Sequence, residues 1–318
     1  MTNQTHIVNS QANRAVIFAY HSIGVHSMKV LMARGVKISL VITHRDNPNE
    51  AIWFESVAAL CQEHQIPVLF DPEPTELHDA VAALTPDFIF SFYYRNMLPI
   101  KVLALATRGA FNLHGSLLPQ YRGRVPVNWA VLHGETETGT TLHEMTEKPD
   151  AGAIIAQTSV PILPDDTAHD VFGKLTVASE QTLWHAIPLL LTGNAPRLAN
   201  DLSKGSYFGG RKPEDGRINW QLPAQQVYNL HRAVAPPYPG AFFDSPDHDH
   251  ASPHRFIIKK ARLATAETFA AKPNLPQGLT VVDNVIFGVC GDGRALRIDE
   301  LLFNGSLISA SQLQQLLS

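Results

Sequence analysis

Cysteine is nearly absent from this chain: Cys61 and Cys290 are the only two in 318 residues, far apart and in apolar surroundings. So few thiols exclude a disulfide-stapled scaffold and predict two free core thiols in a reducing compartment. Long apolar runs are also missing. No stretch approaches the ~20 apolar residues of a membrane span, and Met1 to Ala12 is polar, unlike a signal peptide. The expectation is a cytoplasmic protein with a loose tail over residues 1–13. Neither charge dominates, with 25 Lys plus Arg against 29 Asp plus Glu and a formal net charge of -4. That balance argues against broad attraction to a phosphate backbone, though not against a small basic pocket for one anion. Two motifs fail for want of a residue. Tyr20-His-Ser-Ile-Gly24 lacks the Gly-x-Gly-x-x-Gly turn of a dinucleotide site, and His143-Glu-Met-Thr-Glu147 lacks the second histidine of a zinc helix. The cluster Asp247-His-Asp-His250, with His254, sits in a polar, proline-bounded stretch and reads as a solvated loop rather than a metal site. No metal is expected.

What is present is an ordinary folded composition, 45% hydrophobic and 17% charged. From Arg14 short β-rich runs alternate with helical stretches. Arg14 to Tyr20, Ile38 to Thr43, Pro67 to Phe70, Phe88 to Phe92 and Ala110 to His114 read as strands. Ser22 to Arg34, Ala51 to His64 and Glu76 to Leu84 carry helical spacing. This alternation predicts a mostly parallel α/β sheet. Thr138 to Met145 and Ile154 to Val160 read as further strands, and Thr167 to Leu191 as the longest helix, entered from Asp165-Asp166-Thr167. Beyond it prolines and glycines multiply, and β-like runs appear at Arg255 to Leu263, Gly278 to Phe287 and Ala295 to Ile298. The expected division is a large domain over 14–208 and a small, mainly β domain over 209–318.

Chemistry concentrates at the end of one strand. Residues two apart on a strand share a face, so Asn112 and His114 project together while Phe111 and Leu113 point away. A ligand in a parallel α/β sheet sits outside the carboxyl ends of the strands, where His114 falls. A fixed amide donor beside a proton carrier suits acyl transfer to an amine. Taken alone, His114 is one of 15 histidines, and a surface or core role is the plain alternative. Asp150, 36 residues after His114, has its own plain reading, since Pro149-Asp150-Ala151-Gly152 is a good turn. Arg122 and Arg124 lie in a loop rigidified by proline and glycine, and solvated basic residues would look the same. Arginine's fork of donors also suits carboxylates and phosphates.

The ordered pattern Asn112-x-His114-x-Ser116-x-x-Pro119, the glycine of Arg122-Gly123-Arg124, and the later Asp150-Ala-Gly152 resemble the formyltransferases that use 10-formyltetrahydrofolate. The nearest likeness is to the formyltransferase domain of the bifunctional polymyxin-resistance protein, which formylates UDP-4-amino-4-deoxy-L-arabinose for lipid A modification. The likeness runs from Ala15 onward. It includes Val16-Ile-Phe-Ala-Tyr-His21, Thr43-His-Arg-Asp-Asn-Pro48, Phe90-Ser-Phe-Tyr-Tyr-Arg95, Asn128-Trp129, Gly134-Glu-Thr-Glu-Thr-Gly139 and Pro239-Gly-Ala-Phe242. The resemblance implies a Rossmann-like α/β catalytic domain followed by an OB-like β module. It implies catalytic roles for Asn112, His114 and Asp150, with Asn112 and His114 stabilising the oxyanion, His114 moving protons and Asp150 holding His114 in a donating form. It carries folate contacts onto Asn96, Met97, Leu98 and Arg124, and onto Thr146, Glu147, Lys148, Pro149 and Asp150. Asn96 stands where the polymyxin-resistance relative has a histidine, which puts a side-chain role there in doubt and leaves a backbone role open.

The resemblance implies small-molecule substrates, 10-formyltetrahydrofolate as donor and a nucleotide-linked amino sugar as acceptor. Methionyl-tRNA formyltransferases share the pattern, but they carry a basic, glycine-containing insertion after the second strand. Here that place is Thr43-His-Arg-Asp-Asn-Pro-Asn-Glu50, which is not strongly basic. A formyltetrahydrofolate hydrolase, with water as acceptor, would use the same residues, and a non-catalytic binder would not need them. Because the chain stops at Ser318, a stand-alone formyltransferase without the relative's dehydrogenase domain is expected. Its oligomeric state is left open.

Overall fold

The computed structural model describes residues 13–48, 50–245, 254–269 and 275–317. The expected tail, apart from Asn13, and the Asp247–His250 cluster lie outside the described residues. In chain order the first elements are β1 (Arg14–Ala19), α1 (His21–Ala33), β2 (Lys37–Thr43), α2 (Val57–Glu63), β3 (Val68–Phe70) and α3 (Pro74–Leu84). There follow β4 (Phe88–Phe92), α4 (Ile100–Leu103), β5 (Gly109–His114), β6 (Arg122–Gly123), α5 (Pro126–His133), β7 (Glu137–Glu144) and β8 (Ile154–Pro161). Next are α6 (Ala168–Thr192), β9 (Tyr207–Phe208), α7 (Ala224–Val234), β10 (Ala241–Ser245) and β11 (His254–Leu263). The chain continues through β12 (Gly278–Val282), β13 (Val285–Val289), β14 (Ala295–Phe303), β15 (Ser306–Ile308) and α8 (Ala310–Leu317).

These elements form two compact units. One takes in residues up to Gln120 with Gly139–Ser159 and Leu175–Gly205; the other takes in Tyr121–Thr138, Val160–Lys174 and Ser206–Ser318. In the first, seven strands run in the order β3-β2-β1-β4-β5-β7-β8. Strands β1 to β5 pair in parallel, and β7 joins β5 antiparallel. The order reverses between β1 and β4, the switch point at which doubly wound sheets open a crevice beyond their strand ends. Sequence composition fits these positions. β1 and β4 are buried along nearly their whole length, as parallel strands covered on both faces must be. Phe88, Phe90 and Phe111 stack on one face of neighbouring strands.

One helix is shorter than its spacing predicts. The run from Ala51 to His64 becomes helical only at Val57, where the Ser56 hydroxyl accepts the Ala59 N–H at 3.2 Å and caps the first turn. Trp53 and Phe54 pack instead against the His21 ring, at centroid distances of 4.5 and 3.9 Å.

The second unit is built on an antiparallel sheet in the order β10-β11-β14-β13-β12, with β15 against β14. The expected single run from Gly278 to Phe287 is two strands. Asp283 and Asn284 break it with φ of 49° and 61°, the left-handed pair that a two-residue hairpin turn demands. Helix α6 begins in this unit with a reciprocal cap. The Asp170 N–H donates to the Thr167 hydroxyl (3.2 Å) and the Thr167 N–H to the Asp170 carboxylate (2.8 Å). Helix α7 is tied to the segment before that cap: Tyr228 donates to Asp165 at 2.8 Å and Arg232 to the Asp166 carbonyl at 2.9 Å. Among the described residues no helix is long and apolar enough to cross a membrane.

Candidate functional site

Antiparallel pairing of β5 with β7 sets Asn112 opposite His143 and His114 opposite Thr141. Directly opposed residues share a sheet face, so four polar side chains meet there. Leu113 and Leu142, the other opposed pair, are buried. His114 and His143 are also buried. Their rings stand 6.5 Å apart at 76°. The Asp150 carboxylate approaches both, with Oδ1 3.5 Å from His114 Nδ1 and 3.5 Å from His143 Nε2. Asn112 Nδ2 lies 3.2 Å from His143 Nε2, and His143 Nδ1 lies 2.8 Å from the Glu144 carbonyl oxygen.

The turn carrying Asp150 is built to hold that carboxylate. Asp150 has a φ of 50°, a left-handed conformation that Asp tolerates better than most residues. Asn200 donates to the carbonyls of Asp150 (3.0 Å) and Gly152 (3.1 Å), clamping the turn from both sides. At Gly152 any Cβ would collide with the Glu144 carbonyl oxygen, so only glycine lets the chain return so close to β7. The loop after His114 is pinned in the same unit. Thr141 donates to the Ser116 carbonyl (2.6 Å) and accepts the Leu118 N–H (3.0 Å), and Gln157 donates to Thr141 (2.8 Å).

The segment with Asn96, Met97 and Leu98 follows β4, whose carboxyl end lies beside that of β5. Tyr94 stacks on His44 at 4.2 Å. His44 donates from Nδ1 to Asp71 (2.6 Å) and accepts the Arg95 N–H at Nε2 (3.1 Å). Arg95 grips Glu50 through its two terminal guanidinium nitrogens, at 3.1 and 2.8 Å. Asn96 and Met97 are exposed, and Leu98 packs on the core. Thr146, Glu147 and Lys148 are exposed on the stretch leading from β7 to Pro149 and Asp150. Thr146 donates to the Lys148 carbonyl at 2.9 Å. Among the described residues no group of histidine, cysteine and acidic side chains is arranged to hold a metal ion.

Arg122 and Arg124 belong to the second unit. Arg122 is buried there, while Arg124 is exposed and its N–H donates to the Phe208 carbonyl at 3.0 Å. Asn128 is a buried link, donating to the Ala233 carbonyl at 2.7 Å. Trp129 stacks on Phe208 at 4.9 Å, and Tyr121 stacks on Phe208 at 5.3 Å.

His143 and Asn200 were not among the residues singled out from sequence. In the sequence His143 belongs only to the incomplete zinc motif His143-Glu-Met-Thr-Glu147. Its signal was alternation: Thr141 and His143 flank Leu142 on one strand, the same two-residue spacing that marked Asn112 and His114. Asn200, 50 residues from Asp150, carries no local signal.

Known proteins match this architecture. The N-formyltransferase from Helicobacter canadensis, solved with folinic acid and dTDP-3-aminofucose, superposes with a TM-score of 0.68 at 19% identity, over 90% of this chain and 98% of its own. WlaRD, a sugar 3N-formyl transferase solved with dTDP and 5-N-formyl-THF, gives 0.69 at 20% identity over 90% and 97%. A 4-N formyltransferase from Francisella tularensis gives 0.61 at 18% over 76% and 95%. At such identities the likeness speaks for the fold. Family membership rests on sequence: residues 211–315 match the formyl transferase C-terminal domain. Residues 16–187, more than half of the chain, match the formyl transferase family itself, and the chain belongs to that family.

Proposed function

We propose that this formyltransferase moves the formyl group of 10-formyltetrahydrofolate onto the amine of a nucleotide-linked amino sugar, with Asn112, His114 and Asp150 as its catalytic residues. The observation that carries the reading is the Asp150 carboxylate 3.5 Å from His114 Nδ1 at the carboxyl end of β5. With Nδ1 turned to the acid, this reading assigns Nε2 to the reactants. The amine nitrogen bonds to the formyl carbon and the carbonyl oxygen becomes an oxyanion, for which the Asn112 amide and the His114 ring are donors. His114 takes the proton lost by the amine and passes it to N10 as the bond from carbon to N10 breaks. The products are the formamide and tetrahydrofolate.

The donor assignment is supported by two structural neighbours that hold folinic acid or 5-N-formyl-THF. Asn96 to Leu98 and Thr146 to Asp150, in the unit that carries His114, are the folate-contact segments in this reading. Since Asn96 stands where the polymyxin-resistance relative has a histidine, Asn96 would offer its backbone. For the acceptor, the neighbours' dTDP and dTDP-3-aminofucose support a nucleotide sugar. The resemblance of Phe92 to Arg95 and Asn128-Trp129 favours UDP-4-amino-4-deoxy-L-arabinose. The test offers 10-formyltetrahydrofolate with UDP-4-amino-4-deoxy-L-arabinose, dTDP-3-aminofucose and methionyl-tRNA in separate reactions. Formylation of a sugar nucleotide is the expected result. Formylation of the tRNA alone would overturn the acceptor, and formate release without any amine would favour a hydrolase.

A further inference from the structure

His143 has no part in the chemistry proposed above, yet it is only 2% exposed and touches both Asn112 and Asp150. The hydrogen on its Nδ1 is fixed by what surrounds it. Nδ1 sits 2.8 Å from the Glu144 carbonyl oxygen. A carbonyl can only accept, so Nδ1 carries the hydrogen. In the neutral ring Nε2 is then a bare lone pair, and its nearer neighbour is the Asn112 amide nitrogen at 3.2 Å, against 3.5 Å for the Asp150 oxygen. Only the NH2 end of that amide can satisfy a lone pair. Were the amide reversed, its oxygen would face Nε2 lone pair to lone pair, and the buried contact would repel.

We infer that His143 is a positioning residue: as the Nδ1–H tautomer it takes one N–H of Asn112, fixes the orientation of the amide, and leaves the second N–H for the oxyanion. The inference rests on the catalytic reading of Asn112. It explains an otherwise costly arrangement, a buried imidazole facing a neutral amide beside an acid. An unanchored asparagine can turn its oxygen toward a developing negative charge and oppose the reaction; an anchored one cannot. Cross-strand pairing of Asn112 with His143 supplies the alignment. The Glu144 carbonyl belongs to the residue that also donates its N–H to Ala153 at 2.9 Å. The backbone of Glu144 thus holds both the tautomer, through its carbonyl, and the return of the Asp150 turn, through its N–H.

Two measurements test this. Long-range proton–nitrogen NMR on histidine-labelled wild-type protein at neutral pH, with His143 assigned by its loss in His143→Gln, should show hydrogen on Nδ1 and none on Nε2. Hydrogen on Nε2 overturns the inference, and this readout needs neither substrate nor an active variant. The second is a double-mutant cycle on formyl transfer to whichever probe sugar nucleotide the wild type formylates. His143→Leu should lower kcat about 10-fold to 100-fold with little change in KM for the folate. His143→Gln, whose amide oxygen can accept the same N–H, should recover part of the loss. In an Asn112→Ala background His143→Leu should cost almost nothing more. Full additivity, or full kcat in His143→Leu while Asn112→Ala is impaired, overturns this inference alone. Full activity in Asn112→Ala overturns the catalytic reading beneath it as well.

Discussion

Buried histidines occur in both units of this chain, in opposite electrostatic settings. In the parallel-sheet unit the buried His114 presents Nδ1 to the Asp150 carboxylate at 3.5 Å. In the other unit His231 is buried on α7, its Nδ1 without a hydrogen-bond partner. Burial, reinforced by the neighbouring Arg232 cation, pushes its pKa down to about 4. Desolvation alone keeps an imidazole neutral and therefore inert as an acid; an anion at the ring favours the protonated form. Burial does not distinguish a working histidine from a structural one. In the proposed reading company does, and for His114 that company is Asp150.

The contrast breaks most readily at His114. His114→Ala should lower turnover by ~10²–10⁴ while His231→Gln leaves turnover at the wild-type level; equal losses, measured side by side, would erase the distinction. Gly152→Ala comes next. A methyl group there forces the Asp150 turn away from the Glu144 carbonyl, and a displacement of about 1 Å at a catalytic group costs roughly 10²-fold in rate. Steady-state kinetics should show that loss in a protein whose circular dichroism is unchanged. Asp150→Asn should act less drastically, with the fold intact, turnover reduced and the pH profile of kcat displaced. An unchanged profile at full rate removes Asp150 from the mechanism.

The other half of the contrast is read in stability rather than rate. His231 titrates near 4 when folded and near 6.5 when unfolded, so the unfolded chain binds more protons between those values. Its contribution is fully present above pH ~6.5 and is lost as pH falls through about 4. The shift corresponds to about 3 kcal/mol. Denaturant melts of the wild type should lose stability across that window, and His231→Gln should flatten the loss. An equally steep loss in the variant would mean that other groups carry the acid sensitivity.

What was legible in the sequence follows what is local. Phe88 to Phe92 has the same bounds in sequence and structure, because a continuous apolar run between turn residues has one reading in a parallel sheet. Asn112 and His114 were visible because strand periodicity is a local rule. The closeness of Asp150 to them depends on β7 returning antiparallel along β5, and in the sequence it was carried by resemblance rather than by spacing. His143 needed that same pairing and had no motif to announce it. The helix expected from Ala51 was overstated because Trp53 and Phe54 serve the packing around His21, a tertiary demand that helical spacing does not reveal.

The most direct test of the central claim is mass spectrometry of sugar nucleotides incubated with the protein and 10-formyltetrahydrofolate. The account predicts the gain of one formyl group on an amino-sugar nucleotide by the wild type and its loss in His114→Ala. The same yield from both proteins, or no formylated sugar from the wild type, would contradict it.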